Sequence, residues 1–129
     1  MEAVLFIRLA ADNPDPLYRQ VTDQIRDAIA SGDLQPDQLL PSIRELALDL
    51  EVSVITVKRA YQDLESAGLI RTRRGLGTFV MAVDQAEMRR AKLAEISEDL
   101  RGILARGRKF SITAADVTRL IRQIEREEP

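Results

Sequence analysis

The chain of 129 residues has neither cysteine nor histidine. Without cysteine there is no disulfide, no thiolate nucleophile and no zinc–thiolate site. Without histidine the usual general base and the commonest transition-metal ligand are missing as well. Aromatic residues make up only 4% of the chain, which disfavours the stacking platforms that hold single-stranded nucleic acid. No apolar run approaches the roughly 20 residues of a membrane-spanning helix. The N-terminal Val4-Leu5-Phe6-Ile7 is too short for a signal-peptide core and has no basic leader before it. The expectation is a cytoplasmic protein with no metal site, no cofactor and no catalytic constellation, hence not an enzyme.

What is present can fold. Apolar residues are 45% and charged residues 31% of the chain, a mixture that buries a core and excludes global disorder. The length suits one compact domain with an appendage. A net charge of −2 speaks against a polyanion partner only if the charges are spread evenly. They are not. Lys58, Arg59, Arg71, Arg73 and Arg74 crowd one segment against Asp63 and Glu65, whereas Asp12, Asp15, Asp23, Asp27, Asp33 and Asp37 precede it.

Along the chain, the β-branched and aromatic residues at 3–7 suggest a short strand. Asp15-Pro16 offers a helix start with Asp15 as cap, and Leu17, Val21, Ile25, Ala28 and Ile29 follow at helical spacing to Gly32. Residues 34–42 read as a connector. Ser42 and Glu45 form a capping box for a short helix lined by Ile43, Leu46, Ala47 and Leu50. After a turn, Ser53 opens a second helix that ends at Gly68. Val54, Val57, Tyr61 and Leu64 form its apolar face, and Thr56, Arg59, Gln62 and Asp63 lie largely opposite. Two short strands, 69–72 and 78–81, flank Arg73-Arg74-Gly75-Leu76-Gly77. The two glycines permit positive φ angles and a close backbone approach to a ligand. Helix, turn, helix and hairpin make a winged helix-turn-helix, which delivers one helix to the major groove of DNA.

Residues 84–106 form a long helix in which Leu93, Ile96, Leu100 and Ile103 recur at three- and four-residue steps, a heptad-like seam. Gly107 is expected to break it. Thr113 and Asp116 can cap a last helix carrying Val117, Leu120, Ile121 and Ile124. These two helices are expected to form a hairpin that cannot bury both stripes alone. A homodimer through Leu93, Ile96, Leu100, Ile103, Leu120, Ile121 and Ile124 follows, since symmetric DNA sites ask for two-fold proteins. The fold class is mostly α with a small β wing: a DNA-binding domain over 1–82 and a helical dimerisation tail over 83–129.

The spaced residues Pro16-Leu17-Tyr18, Gln20, Leu40-Pro41-Ser42, Arg44, Val52-Ser53, Thr56-Val57, Ala60-Tyr61, Gly68-Leu69-Ile70 and Gly75-Leu76-Gly77-Thr78-Phe79-Val80 resemble the GntR family of bacterial transcription regulators. The short helical tail resembles the YtrA subfamily, whose members carry a small dimerising appendage instead of a large effector domain. The resemblance implies that Arg44 contacts DNA, that Ser53, Ile55 and Thr56 approach the groove floor with Lys58 following, and that Gly75 beside Arg74 approaches the minor groove. With Ser42, Arg59, Arg73 and Gly77 these complete the candidate DNA-contacting set. Two departures stand out. Val54 occupies a position where many relatives have arginine, and Pro36-Asp37 replaces the usual proline-glycine, a change expected to affect only the connector.

Arginine bridging two guanine acceptors suits Arg44, while Ile55 and Thr56 offer a methyl-seeking surface and a hydroxyl. The expected function is a homodimeric repressor on a pseudo-palindromic operator. The alternative is a winged helix that binds a protein partner and has no direct DNA role. Some relatives fuse such a domain to an aminotransferase-like one, for which this chain has no room. A tail of about 45 residues is also too short to enclose the roughly 300 Å³ that a small ligand needs, and any effector stays unidentified.

Overall fold

The computed structural model describes Leu5 and residues 7–128. Five helices and one hairpin follow in the order α1 (Leu17–Ser31), α2 (Ile43–Leu50), α3 (Val54–Ser66), β1 (Ile70–Arg73), β2 (Gly77–Val80), α4 (Gln85–Arg108) and α5 (Ala114–Glu127). Two compact units result, Met1–Met88 and Arg89–Pro129, with the division inside α4. No helix among the described residues is long and apolar enough to cross a membrane.

The core of the first unit comes from the apolar stripes that the helical spacings require. Val21, Ile25 and Ile29 of α1 meet Leu46 and Ala47 of α2, Val57, Ala60, Tyr61 and Leu64 of α3, and Ile70 and Val80 of the hairpin. Val54, assigned to that apolar face, is exposed instead, and Ala60 takes the buried place. One turn of helix separates Val54 from Val57 and Lys58, and only the residues beyond it reach under α1.

The expectation for the start of α1 needs revision. α1 begins at Leu17 with Pro16 in the cap position and no side-chain cap. Asp15 is not the cap, because the first bonds of the helix, from Arg19 N at 3.0 Å and Gln20 N at 3.1 Å, go to Pro16 O, while Asp15 O accepts from the Gln20 side chain at 3.0 Å. The strand expected at 3–7 falls mostly on residues outside those described, and Leu5 and Ile7 lie in no regular element. Leu5, Ile7 and Leu9 nevertheless pack on the core. Two glutamines of α1 take over what a neighbouring strand would do. Gln24 exchanges bonds with Arg8 N and O at 2.9 and 2.8 Å, and Gln20 with Ala10 N and O at 2.9 and 3.2 Å. The extended segment thereby satisfies backbone groups without a sheet.

In the second unit α4 does not break at Gly107. It runs on to Arg108 and ends in a Schellman turn, with Ile112 N donating to Gly107 O at 2.9 Å and Ser111 N to Arg108 O at 3.2 Å. Ser111 carries the left-handed conformation, φ 57°. Gly107 serves packing: a Cβ there would stand 3.2 Å from Ile112 Cβ. α5 opens as its sequence predicts, with a reciprocal capping box between Thr113 and Asp116. The Thr113 N–H and hydroxyl, then Arg119 beside it, hold the Asp116 carboxyl below its ordinary range.

The expected hairpin does not close, however. α5 does not run back along α4, and neither helix has a buried residue. Both apolar stripes therefore stay open in the single chain.

Candidate nucleic-acid interface

Three short pieces of structure set the geometry of the helix-turn-helix. Ser42 and Glu45 close their capping box at 3.1 and 3.2 Å, fixing where α2 begins. Glu51, in the left-handed conformation at φ 56°, ends it, and Val52 N closes the turn on Ala47 O at 3.0 Å. Ser53 then caps α3 by accepting from Thr56 N at 3.1 Å. Its oxygen lies 2.8 Å from Thr56 Oγ1. Ser53 can donate its own hydrogen across that gap, which leaves the Thr56 hydroxyl hydrogen for an outside acceptor.

Tyr61 fastens α3 to the segment before α2. Its hydroxyl, buried in the core, donates to Pro41 O at 2.6 Å. We expect Tyr61→Phe, which strands a buried carbonyl, to cost about 1–2 kcal/mol. Urea unfolding monitored by circular dichroism measures this, and an unchanged midpoint would show the bond to be dispensable.

The wing is more firmly built than a free hairpin. β1 and β2 pair antiparallel with Ile70 opposite Val80 and Arg73 opposite Gly77. The strands start and stop one residue away from the expected bounds. Residues 37–40, read from sequence as plain connector, lie along the far edge of β2. Leu40 N donates to Thr78 O at 2.8 Å, Val80 N to Gln38 O at 3.0 Å, and Asp37 N to Val80 O at 2.8 Å. Glu65 of α3 accepts from Thr72 N at 3.0 Å, tying the wing to the helix before it.

At the tip, Leu76 N donates to Arg73 O at 2.9 Å and Gly75 sits at φ 77°. A positive φ at the third residue of a four-residue turn is the type II signature, which glycine meets without strain. Gly77 has a different reason to be glycine: at φ 118° its Cβ would come within 2.6 Å of Leu39 Cδ1.

The candidate residues divide by what already engages them. Ser42 and Ser53 spend their side chains on caps. Arg44 at the start of α2, Lys58 on α3 and Arg74 in the wing turn are exposed. None has an ion-pair partner among the described residues, so the carboxylate bridge that could have occupied Arg44 is not formed. Ile55 is 78% exposed, which leaves its apolar side chain free to meet a thymine methyl. Arg59 lies 3.9 Å from the centroid of the Tyr18 ring, which holds its guanidinium against α1. Arg73 lies 5.0 Å from the Phe79 centroid and 3.7 Å from Asp37 Oδ1.

Tyr18, Phe79 and Asp37 thus bear on the candidate site although their side chains carried no assigned part in it. Nothing in the local pattern places Asp37 beside a residue 36 positions later. Leu76, 67% exposed between two glycines, was the one unassigned tip residue with a visible signal. Among the described residues no group of acidic side chains could hold a metal ion.

A model of the bacterial regulatory proteins, gntR family, matches residues 17–80, the span from α1 to the end of the wing. The HTH-type transcriptional regulator Rv1152 of Mycobacterium tuberculosis is 32% identical, over 96% of this chain and 98% of its own. The HTH-type transcriptional repressor YtrA of Bacillus subtilis is also 32% identical, over 76% of this chain and 75% of its own. Among solved structures, a transcriptional regulator from Oenococcus oeni superposes with a TM-score of 0.70 at 29% identity, covering 92% of this chain and 98% of that one. The DNA-binding domain of AraR in complex with operator ORX1 superposes at 0.52 with 35% identity, covering 59% and 95%.

Proposed function

The chain belongs to the gntR family of bacterial regulatory proteins, with YtrA-like relatives, and from that premise we propose how this DNA-binding transcription regulator meets its operator. It acts as a homodimeric repressor on a pseudo-palindromic site. The DNA-binding part, residues 1–82, lays α3 in the major groove and the Arg74-Gly75 turn beside it. Arg44 from α2 and Lys58 from α3 itself add positive charge, Ile55 and Thr56 meet base edges, and the tail, residues 83–129, joins two copies.

The observation that carries this reading is the state of three cations. Arg44, Lys58 and Arg74 stand exposed and unpaired among the described residues, on three elements held together by the Tyr61–Pro41 and Leu40–Thr78 bonds. Phosphate and base-edge acceptors are the chemistry such a set fits. The repressor named YtrA and the operator-bound AraR domain lend the reading their precedent.

Pairing follows from the tail. Leu93, Ile96, Leu100, Ile103, Leu120, Ile121 and Ile124 are 37–53% exposed in the single chain. Fully burying such a side chain contributes about 1.5–3 kcal/mol. Half of that, over two sets of seven, comes to roughly 10–20 kcal/mol, enough to offset the ~4–15 kcal/mol that association loses in translational and rotational freedom. Titration of a labelled duplex from upstream of the protein's own gene, against a shuffled duplex at the same salt, tests the DNA reading. A preference of roughly 10³-fold or more is expected of a specific site. Equal binding to both duplexes contradicts recognition of that operator.

A further inference from the structure

We infer that Asp37 holds the wing arginine Arg73 away from DNA and so sets the affinity and salt dependence of binding. The inference rests on the wing's part in the proposed DNA contact. Its grounds are three features of residues far apart in the sequence.

First, Asp37 sits in the left-handed region at φ 68°, where an L-residue is disfavoured and aspartate and asparagine are the tolerated exceptions. Second, its backbone is anchored, since its N–H donates to Val80 O at 2.8 Å. The backbone that carries the carboxylate is therefore a fixed part of the wing edge. Third, Arg73 is engaged twice. Its guanidinium lies 5.0 Å from the Phe79 centroid, and its Nη2 is 3.7 Å from Asp37 Oδ1.

Arg73 and Phe79 occupy alternate pairs of the same two-stranded ladder, Arg73 opposite Gly77 and Phe79 opposite Arg71. The long side chain thus lies back over the wing toward β2's far edge, where residues 37–40 run. Arg74, one residue on, has no such partner among the described residues. Of the two adjacent arginines at the wing tip, Arg74 is ready and Arg73 is restrained.

An exposed pair of this kind adds little to stability, because both ends are largely hydrated: the side chains are 48% and 82% exposed. Its consequence lies in binding. A phosphate competes with the carboxylate for Arg73, and while the pair persists Asp37 places a negative charge beside the polyanion. Both effects weaken binding to any sequence, so they act on the general, salt-dependent part of affinity. For a regulator this favours release from non-operator DNA.

Asp37→Asn tests the inference, since asparagine keeps the shape and the tolerance of positive φ and removes only the charge. Anisotropy titrations use the full-length protein and a short labelled duplex of arbitrary sequence, from about 50 to 200 mM salt. Asp37→Asn is expected to bind roughly three- to thirty-fold tighter at the low end. Its log–log salt slope should steepen by about 0.9 for each wing engaged. In an Arg73→Ala background the same substitution should bring much less gain and no change in slope.

If the wild type binds the duplex and Asp37→Asn matches it in affinity and slope, the restraint is refuted while the DNA reading stands. A gain that persists in full without Arg73 also refutes it, assigning the effect to charge alone. Should the wild type bind no duplex at low salt, the DNA reading fails and takes this inference with it.

Discussion

Leu100→Glu should leave a folded monomer that has lost nearly all of its grip on the operator. Leu100 lies in the middle of the open stripe on α4, and Leu93, Ile96 and Ile103 extend that stripe on either side. In a two-fold pair a glutamate at this point would be buried beside apolar side chains, and in the closest pairing beside its own copy. A charge in that setting is costly without a partner. The single chain, by contrast, already exposes the site, so the substitution removes no core contact from the first unit.

Two linked modules gain roughly 10²- to 10⁴-fold in apparent affinity from effective concentration alone. The monomer should lose about that factor on a two-half-site duplex and very little on a single half-site. Sedimentation equilibrium gives the mass, and titration of both duplexes gives the affinities. If Leu100→Glu stays dimeric, the α4 stripe is not the interface. A monomer that binds the full operator undiminished would mean that pairing does not govern recognition.

Arg44→Ala is expected to have the next largest effect, and its value lies in which DNA feels it. A good bidentate contact to a guanine contributes about 1–3 kcal/mol of discrimination. A dimer makes it twice, so operator affinity should fall by roughly 30-fold to 10⁴-fold. Binding to shuffled DNA should fall much less. Arg44→Lys keeps the charge without the planar fork, and it should resemble alanine on the operator but wild type on shuffled DNA. An equal loss on both duplexes for Arg44→Ala, restored by lysine, would make Arg44 a phosphate contact that positions the protein and reads nothing. Folding is not at issue, because Arg44 is exposed and the α2 cap rests on Ser42 and Glu45.

Much of this architecture was legible where a single local rule acts. Gly32 ends α1 in the left-handed conformation, Ser42 and Glu45 cap α2, Ser53 caps α3, and Thr113 with Asp116 caps α5. Each of these is decided by residues within four positions of one another. The gntR-family resemblance likewise rested on residues whose spacing is fixed by the fold.

What escaped the sequence reading is non-local or a competition between two local rules. Gly107 looked like a terminator because glycine accepts a left-handed turn. In the fold Ser111 takes that strain, and glycine is needed where Ile112 folds back onto the helix. Asp15 looked like a cap, but the first bonds of the helix go to the carbonyl of Pro16, one residue later. The pairing of residues 37–40 with β2 depends on backbone bonds that no side-chain pattern announces. The replacement of glycine by Asp37 was expected to matter only to the connector. Its reach to Arg73 became visible only once the wing had placed the two together. Within the candidate site, the residue types and their exposure were readable. Which cations were already engaged was not.

Selection of bound fragments from a random duplex library, carried through several rounds with the wild-type protein, tests the central claim most directly. Two inverted half-sites should emerge, their centres separated by one helical turn or a multiple of it, about 34–36 Å per turn. The same selection with Leu100→Glu should recover at most a single half-site. Fragments with no shared sequence, or a shared sequence without two-fold symmetry, would contradict a regulator that reads its operator as a symmetric pair.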